Sequence, residues 1–243
     1  TDDPDDALGN FPPEGEDPAP YNGLDDSNDA SANSSDRVLD NVSDDISPVE
    51  LLKTRLGGDE PETLIGTEGD DLIDGFGGND TITGSGGDDF LIGGDGDDVI
   101  DGGTGKNRLY GDAGDDIITS NGEGDVVDAG EGNNTIIIGG DTNGGEFFSG
   151  DGDDVYQLNT GIHSEYNQPL RIESGGGNDV IDIDSHIDMS WSDFLLGEGN
   201  DTINVTSALD YASYIDGQGG DDNINILAGS RSSTNSVDGG DGN

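Results

Sequence analysis

An aspartate recurs every nine residues between Gly66 and Ile137, at the sixth place of a glycine-rich repeat. Eight copies run without insertion, and the first two read Gly66-TEGDDLID and Gly75-FGGNDTIT. Glycine at the first, second and fourth places permits positive φ and close approach of neighbouring backbones. Such a backbone can direct its carbonyl oxygens towards one point, where the aspartate adds a carboxylate. The repeat therefore collects oxygen ligands at a constant spacing.

This ligand chemistry favours calcium. The chain has no cysteine, which excludes thiolate metal sites and a disulfide framework. Ca²⁺ takes about 6–8 oxygen ligands in tolerant geometry, whereas Mg²⁺ requires a rigid octahedron and retains water. An EF-hand is excluded, because the twelfth position of a loop beginning at Asp95 is Lys106 rather than glutamate. We therefore expect several Ca²⁺ ions.

The repeat resembles the RTX, or haemolysin-type, calcium-binding nonapeptide, whose pattern is G-G-x-G-x-D-x-U-x. The resemblance covers residues 66–137 continuously and residues 149–243 intermittently. It implies that sixth-place side chains of adjacent coils bind Ca²⁺ together with backbone carbonyls in a parallel β-roll. The implied aspartate ligands are Asp71, Asp80, Asp89, Asp98, Asp116, Asp154, Asp179, Asp201 and Asp222.

Three further sixth-place residues depart from the pattern but are retained as candidate ligands. Asn107 and Asn134 replace the aspartate and can offer one neutral oxygen each. Asp125 lies in a repeat where Ser120 and Glu123 occupy glycine positions. Lower ligand charge weakens calcium binding, so we expect weaker sites at these places.

The eighth place of the repeat is always aliphatic. This pattern predicts the strands that position the turns. Short strands around it can point one side chain inward. Two successive nonapeptides then make one coil, and stacked coils bury the aliphatic side chains as two facing ladders. The eighth-place residues are Ile73, Ile82, Leu91, Ile100, Leu109, Ile118, Val127 and Ile136. The predicted fold is all-β, a right-handed parallel β-roll or β-solenoid.

The N-terminal part is predicted to differ from the repeats. Residues 1–35 are polar and acidic, which predicts a flexible leader. Residues 36–65 are interpreted as an N-terminal cap containing a short helix over about 48–56. The segment Ser47-Pro-Val-Glu50 has the form of a capping box, and the glycines that follow Leu56 can end a helix.

The repeats fall into two parts. Residues 66–137 are predicted to form a regular roll with calcium turns on both edges. In residues 138–243 the turn motifs recur only at longer intervals, as Ser149-GDGDDVY, Ser174-GGGNDVI, Leu196-GEGNDTI and Gly217-QGGDDNI. We therefore expect this part to continue the solenoid with calcium turns on one edge and longer loops on the other.

Composition limits the partners. Lys and Arg number 7 against 56 Asp and Glu, a formal net charge of −49, which makes nucleic acid and anionic membranes unsuitable partners. No apolar run is long enough to span a bilayer, so no membrane insertion is expected. His163 and His186 are interpreted as polar surface groups. No nucleophile elbow, phosphate loop or zinc-protease motif occurs, so we expect no enzyme activity.

The primary function expected is therefore calcium binding that folds the chain. The first hypothesis for its role is a structural, surface or adhesion module, with self-association or surface glycan contact as further options. The alternative is an accessory domain of a larger secreted protease, lipase or epimerase. The resemblance implies a secreted or cell-surface bacterial protein exported by type I secretion. Thr81, Thr83, Thr119 and Thr135 are not expected to form the continuous row that ice or glycan binding on a flat face requires.

Overall fold

The structure, a computed structural model, describes residues 53–140, 142–159, 163–164, 168–183, 191–206, 213–226 and 235–242. The described residues contain nineteen β-strands and no helix. In chain order they are β1 (Lys53–Gly58), β2 (Thr63–Ile65), β3 (Asp71–Phe76), β4 (Thr81–Thr83), β5 (Phe90–Asp95), β6 (Val99–Asp101), β7 (Arg108–Ala113), β8 (Ile117–Ser120), β9 (Val126–Asp128), β10 (Thr135–Ile138), β11 (Gly145–Phe148), β12 (Val155–Leu158), β13 (Leu170–Glu173), β14 (Val180–Ile183), β15 (Asp193–Leu195), β16 (Thr202–Val205), β17 (Tyr214–Asp216), β18 (Asn223–Ile226) and β19 (Ser236–Asp238). Among these residues no helix is long and apolar enough to cross a membrane.

The strands alternate between two parallel sheets. The odd-numbered strands form sheet A and the even-numbered strands form sheet B, each ordered along the chain. Every strand pairs in parallel with the strand two places on, as Ile73 pairs with Leu91 and Leu91 with Leu109. One strand from each sheet makes one coil, and the coils stack along the axis. The predicted parallel β-solenoid is confirmed.

The core lies between the two sheets and consists of the eighth-place side chains. All eight of these predicted side chains are 0% exposed. The same two rows continue into the later coils through Phe147, Ile172 and Phe194 in sheet A, and through Tyr156, Ile181 and Ile203 in sheet B. From β10 onward sheet B adds a second buried row, formed by Ile138, Leu158, Ile183 and Val205.

The predicted helix near the N-terminus is wrong over residues 53–56. These residues belong to β1, which pairs with β3 and aligns Arg55 with Ile73. The pairing supplies backbone hydrogen bonds that outweigh the local helix signal. Residues 1–52, including the start of that helix and the predicted leader, lie outside the described residues. Gly57 to Ile65 form another repeat, with Glu62 at the sixth place and the buried Leu64 at the eighth.

Turns join the sheets at two edges. The A-to-B edge contains the turns that follow sheet A strands, and it keeps the glycine–aspartate form from Gly75 to Asp222. The B-to-A edge has this form only up to Asp125. After β10 its connections lengthen, and the spacing between stacked turns rises from 18 residues to between 20 and 25. The structure therefore has repeat turns on both edges in its first part and on one edge afterwards.

The outer face of sheet B carries several threonines in register. Thr81 and Thr135 lie in one row, but Val99 and Ile117 stand between them. Asp101 likewise separates Thr83 from Thr119 in the adjacent row. The threonines form no continuous row, as expected.

Shortening a core side chain should lower the free energy of unfolding. Ile118 is fully buried and its neighbour Ile117 is 42% exposed, so the same substitution tests both environments. We predict that Ile118→Ala lowers the free energy of unfolding by about 2–5 kcal/mol, since it leaves a cavity between the sheets. Ile117→Ala should cost no more than about 1 kcal/mol. Urea unfolding with calcium present measures both, and equal losses would contradict the assigned core.

Candidate metal centres

The sixth-place side chains form two buried ladders, one along each edge. On the A-to-B edge, one side-chain oxygen (Oδ1) of each residue accepts a hydrogen bond from the backbone N–H of the sixth-place residue one coil earlier. The donor–acceptor distances are 2.7–3.0 Å over eight rungs, which run from Glu62 through Asp80, Asp98, Asp116, Asn134, Asp154, Asp179, Asp201 to Asp222. The B-to-A edge repeats the arrangement over Asp71, Asp89, Asn107 and Asp125. The structure thus brings every predicted ligand into one of two ladders.

The second carboxylate oxygen is the feature that points to a metal. In most rungs Oδ2 is buried and has no hydrogen-bond partner among the described residues. This holds for Asp80, Asp89, Asp98, Asp116, Asp154, Asp179, Asp201 and Asp222. In Asp71 the atom without a partner is Oδ1, because Thr67 donates both its N–H and its hydroxyl to Oδ2. A buried polar atom without a partner is costly, so these oxygens are suited to a positively charged ligand.

In the turns of Asp80, Asp89, Asp98, Asp116 and Asp222, this oxygen faces a small space that the first-place glycine keeps open. A Cβ added at Gly93 would overlap Asp98 Oδ2 and lie 2.9 Å from the carbonyl oxygen of Gly111, one coil later. A Cβ at Gly84 would likewise overlap Asp89 Oδ2 and lie 2.6 Å from the carbonyl oxygen of Gly102. The carboxylate oxygen and the carbonyl oxygen of the next coil therefore converge where no side chain stands.

The donor set fits a hard cation. Within the described residues, no three His, Cys, Asp or Glu side chains group closely enough to hold a metal by themselves. Each turn contributes one carboxylate, so backbone carbonyls must supply most of the remaining ligands. Calcium accepts such mixed, irregular oxygen sets, whereas magnesium and zinc do not.

Burial makes these carboxyl groups poor acids. Desolvation raises the pKa of Asp89 and Asp98 to about 6 and that of Asp116 to about 7. The hydrogen bond from the backbone one coil earlier lowers these values in part, while nearby carboxylates raise them further. The ionised form of these carboxylates is therefore unfavourable in the ladder, and a bound cation would stabilise it.

Two of the predicted ligands are satisfied within the protein. The second oxygen of Asp125 accepts hydrogen bonds from the Ser120 hydroxyl at 2.6 Å and the Gly122 N–H at 3.2 Å. The oxygen of Asn134 accepts a hydrogen bond from the Asp116 N–H at 2.9 Å, and its amide nitrogen donates to the carbonyl oxygen of Gly130 at 3.3 Å. Asn107 is used in the same way by Asp89, and its buried amide nitrogen has no partner among the described residues.

The sequence analysis missed two features of the site. Glu62 begins the A-to-B ladder, and the nine-residue period from Gly57 would have revealed it. The fifth place of each A-to-B turn forms a second, exposed ladder in the opposite direction, in which the later backbone N–H donates to the earlier side chain. Its members are Asn79, Asp97, Asp115, Asn133, Asp153, Asn178, Asn200 and Asp221. The signal for it was the restriction of the fifth place on this edge to Asn or Asp.

Comparison with known families agrees with this geometry. A family model described as the RTX calcium-binding nonapeptide repeat, in 4 copies, matches residues 56–91, 74–109, 92–125 and 101–136. No curated protein matches the chain significantly. The matched region begins before Gly66 and includes the turn of Glu62, and it confirms the family resemblance for residues 56–136.

In the turns whose first place is glycine, the open space there should be essential for metal binding. We predict that Gly93→Ala removes or severely weakens the site at Asp98, because the added methyl group overlaps the carboxylate oxygen. Gly77→Ala is the matched control, since a Cβ there has only ordinary contacts of 3.7 Å or more. Calcium counts per chain from native mass spectrometry should fall for Gly93→Ala alone. Equal counts in both variants would contradict the assignment.

The raised pKa values predict opposite pH effects with and without calcium. The folded-state pKa of Asp98 lies near 6, above its ordinary value of 3.8, so without metal this group favours folding below about pH 4. That contribution is lost as the pH rises through 6, and near 7 for Asp116. In chelator, the strand signal in circular dichroism should be larger at pH 5 than at pH 8.

Saturating calcium should reverse that order, because protons then compete with the cation for the same oxygens. Measurements in about 0.5 M salt reduce the contribution of exposed charges, whose repulsion also changes with pH. An identical strand signal at both pH values in chelator would show that the buried carboxyl groups do not control stability.

Proposed function

We propose that this chain, whose residues 56–136 are RTX calcium-binding nonapeptide repeats, is a calcium-folded extracellular module with a structural, surface or adhesive role. The observation that carries the proposal is the pair of carboxylate ladders, in which buried oxygens without partners recur coil after coil. A solenoid without bound cations would stack these charges against one another. Binding of calcium is therefore part of how the fold is held together.

The two oxygens of each sixth-place carboxylate have different roles. One oxygen of each sixth-place carboxylate fixes the position of the side chain by accepting the N–H of the coil before it. The other oxygen and the carbonyl of the coil after it face the space kept open by glycine. Bound calcium supplies the positive charge there and joins two coils.

Net charge supports a requirement for calcium outside the cell. With a formal charge of −49, the chain opposes its own compaction, and only 28% of its residues are hydrophobic. A ligand that binds only the folded state stabilises that state by mass action. Extracellular calcium modules bind with dissociation constants of about 10⁻⁴–10⁻³ M, so the chain would stay unfolded at cytosolic calcium and fold after export. This behaviour suits a secreted or cell-surface bacterial protein exported by type I secretion.

The use of the carboxylates supports a non-enzymatic role. The buried acidic groups with raised pKa values lie in the ladders, where one oxygen holds the adjacent coil. The alternative role, an accessory domain of a larger secreted enzyme, relies on the same calcium-dependent folding. Self-association or surface glycan contact would add to either role.

Circular dichroism with calcium and then with excess chelator tests the proposal. We expect the strand signal to develop with calcium and to be lost in chelator, because the ladders then lack their counter-charge. A strand signal that responds to neither addition would reject calcium-dependent folding.

Asp98→Asn and Asp97→Asn give a matched pair for the same titration. Both remove one carboxylate from the same turn, but Asp98 is buried in the ladder and Asp97 lies in the exposed fifth-place ladder. Asp98→Asn should shift the calcium midpoint of folding to several-fold higher concentration, since ligand charge sets calcium affinity. Asp97→Asn should leave it nearly unchanged. Equal shifts would mean that only total charge matters.

A further inference from the structure

In one coil in the middle of the solenoid, protein groups alone satisfy the hydrogen bonding of the sixth-place side chain at both edges. This central coil comprises residues 120–138, with β9 and β10 as its strands. Its B-to-A turn ends at Asp125 and its A-to-B turn ends at Asn134. These are the two sixth-place residues whose side chains are fully hydrogen-bonded, whereas the aspartates before and after them leave one oxygen without a partner.

The Asn134 side chain occupies its turn in a definite orientation. The backbone N–H of Asp116 requires an acceptor at 2.9 Å, so the oxygen of Asn134 must face it. The amide nitrogen then faces the turn, where it lies 3.3 Å from the carbonyl oxygen of Gly130 and 3.4 Å from those of Gly132 and Ser149. Three carbonyl oxygens from two consecutive coils thus surround one NH₂ group. A positively polarised group stands where a cation would be held.

The opposite turn of the same coil is closed by a hydroxyl group. Ser120 occupies the first place, which is glycine in every earlier repeat, and its hydroxyl donates to the second oxygen of Asp125 at 2.6 Å. The Gly122 N–H donates to the same oxygen. Both oxygens of Asp125 therefore have hydrogen-bond donors, the second from its own turn and the first from the Asn107 N–H one coil earlier at 2.7 Å.

The geometry points to a metal-independent central coil that separates two calcium arrays, with Asn134 as the residue that excludes the ion on the A-to-B edge. The inference depends on the proposed function, since it concerns which turns take calcium. The first array contains Asp71, Asp80, Asp89, Asp98 and Asp116. The second contains Asp154, Asp179, Asp201 and Asp222. Ions in one array share no carboxylate ligand with ions in the other.

Asn134→Asp should convert the central turn into a calcium site when it is combined with Ala129→Gly, which opens the first place as in the glycine-lined turns, and every variant named below carries Ala129→Gly. The substitution replaces the amide donors by a carboxylate oxygen that faces three carbonyl oxygens, and such a cluster requires a cation. Asn133→Asp is the matched control, because it adds the same charge one residue earlier on the exposed fifth-place ladder. Native mass spectrometry at saturating calcium should count one more ion per chain in Asn134→Asp than in the wild type. Asn133→Asp should match the wild type.

The outcomes separate the two proposals. If the wild type binds calcium and Asn134→Asp binds no more than Asn133→Asp, the role of Asn134 is overturned while calcium-dependent folding stands. If the wild type binds no calcium at all, the proposed function itself fails.

Anomalous scattering from crystals of the unmodified chain grown with calcium provides a test that no substitution can disturb. Peaks are expected beside Asp98 and Asp179 and none beside Asn134. A calcium peak within the Asn134 turn would overturn the inference even if the variant fails to fold.

Discussion

The hydrogen bond from each sixth-place backbone N–H to the side-chain oxygen of the next coil is the interaction on which this structure depends. It occurs at 2.7–3.0 Å along both edges and connects turns that are 18 to 25 residues apart. Because it uses one oxygen of a carboxylate that is itself buried, it leaves the second oxygen in the protein interior. The contact that aligns the coils therefore also creates the need for a cation. A simple hydrophobic solenoid has no such requirement.

The remainder of the repeat follows from that contact. Glycine at the first place leaves room beside the free oxygen, and the second place adopts positive φ even where it is Phe76 (φ 65°) or Asp112 (φ 71°). Such backbone is unfavourable for a side chain with a Cβ, so the turn conformation is imposed by the stack. The exposed fifth-place ladder runs in the reverse direction and includes Asn between carboxylates, which limits like-charge repulsion at the surface. There, two hydrogen bonds from Asn178 lower the pKa of Asp153.

The sequence predicts the strand register better than it predicts local secondary structure or individual side-chain contacts. The nine-residue period placed all eight inward residues correctly, because a strand with one buried face leaves no choice of register. The prediction from sequence was wrong at β1. The local capping pattern around Ser47 suggested a helix there, but pairing with β3 sets the conformation. The assignment of Asn134 as a ligand stays a prediction, since a sequence gives the residue type and not which atom the adjacent coil uses. Only the position of the Asp116 N–H shows that the oxygen is already engaged.

The second part of the solenoid compensates for the loss of repeat turns on one edge. Its first-place residues include Ser149 and Ser174, whose hydroxyls donate to the carbonyl oxygens of Ser174 and Leu196 at 2.9 and 2.6 Å. These bonds link consecutive coils directly between protein groups. Burial raises the pKa of Asp154 and Asp179 to about 6, and the backbone hydrogen bond from the coil before partly offsets that rise. Phe147, Tyr156 and Phe194 fill the core of these coils, so side-chain packing and direct hydroxyl bonds join them in addition to the carboxylate ladder.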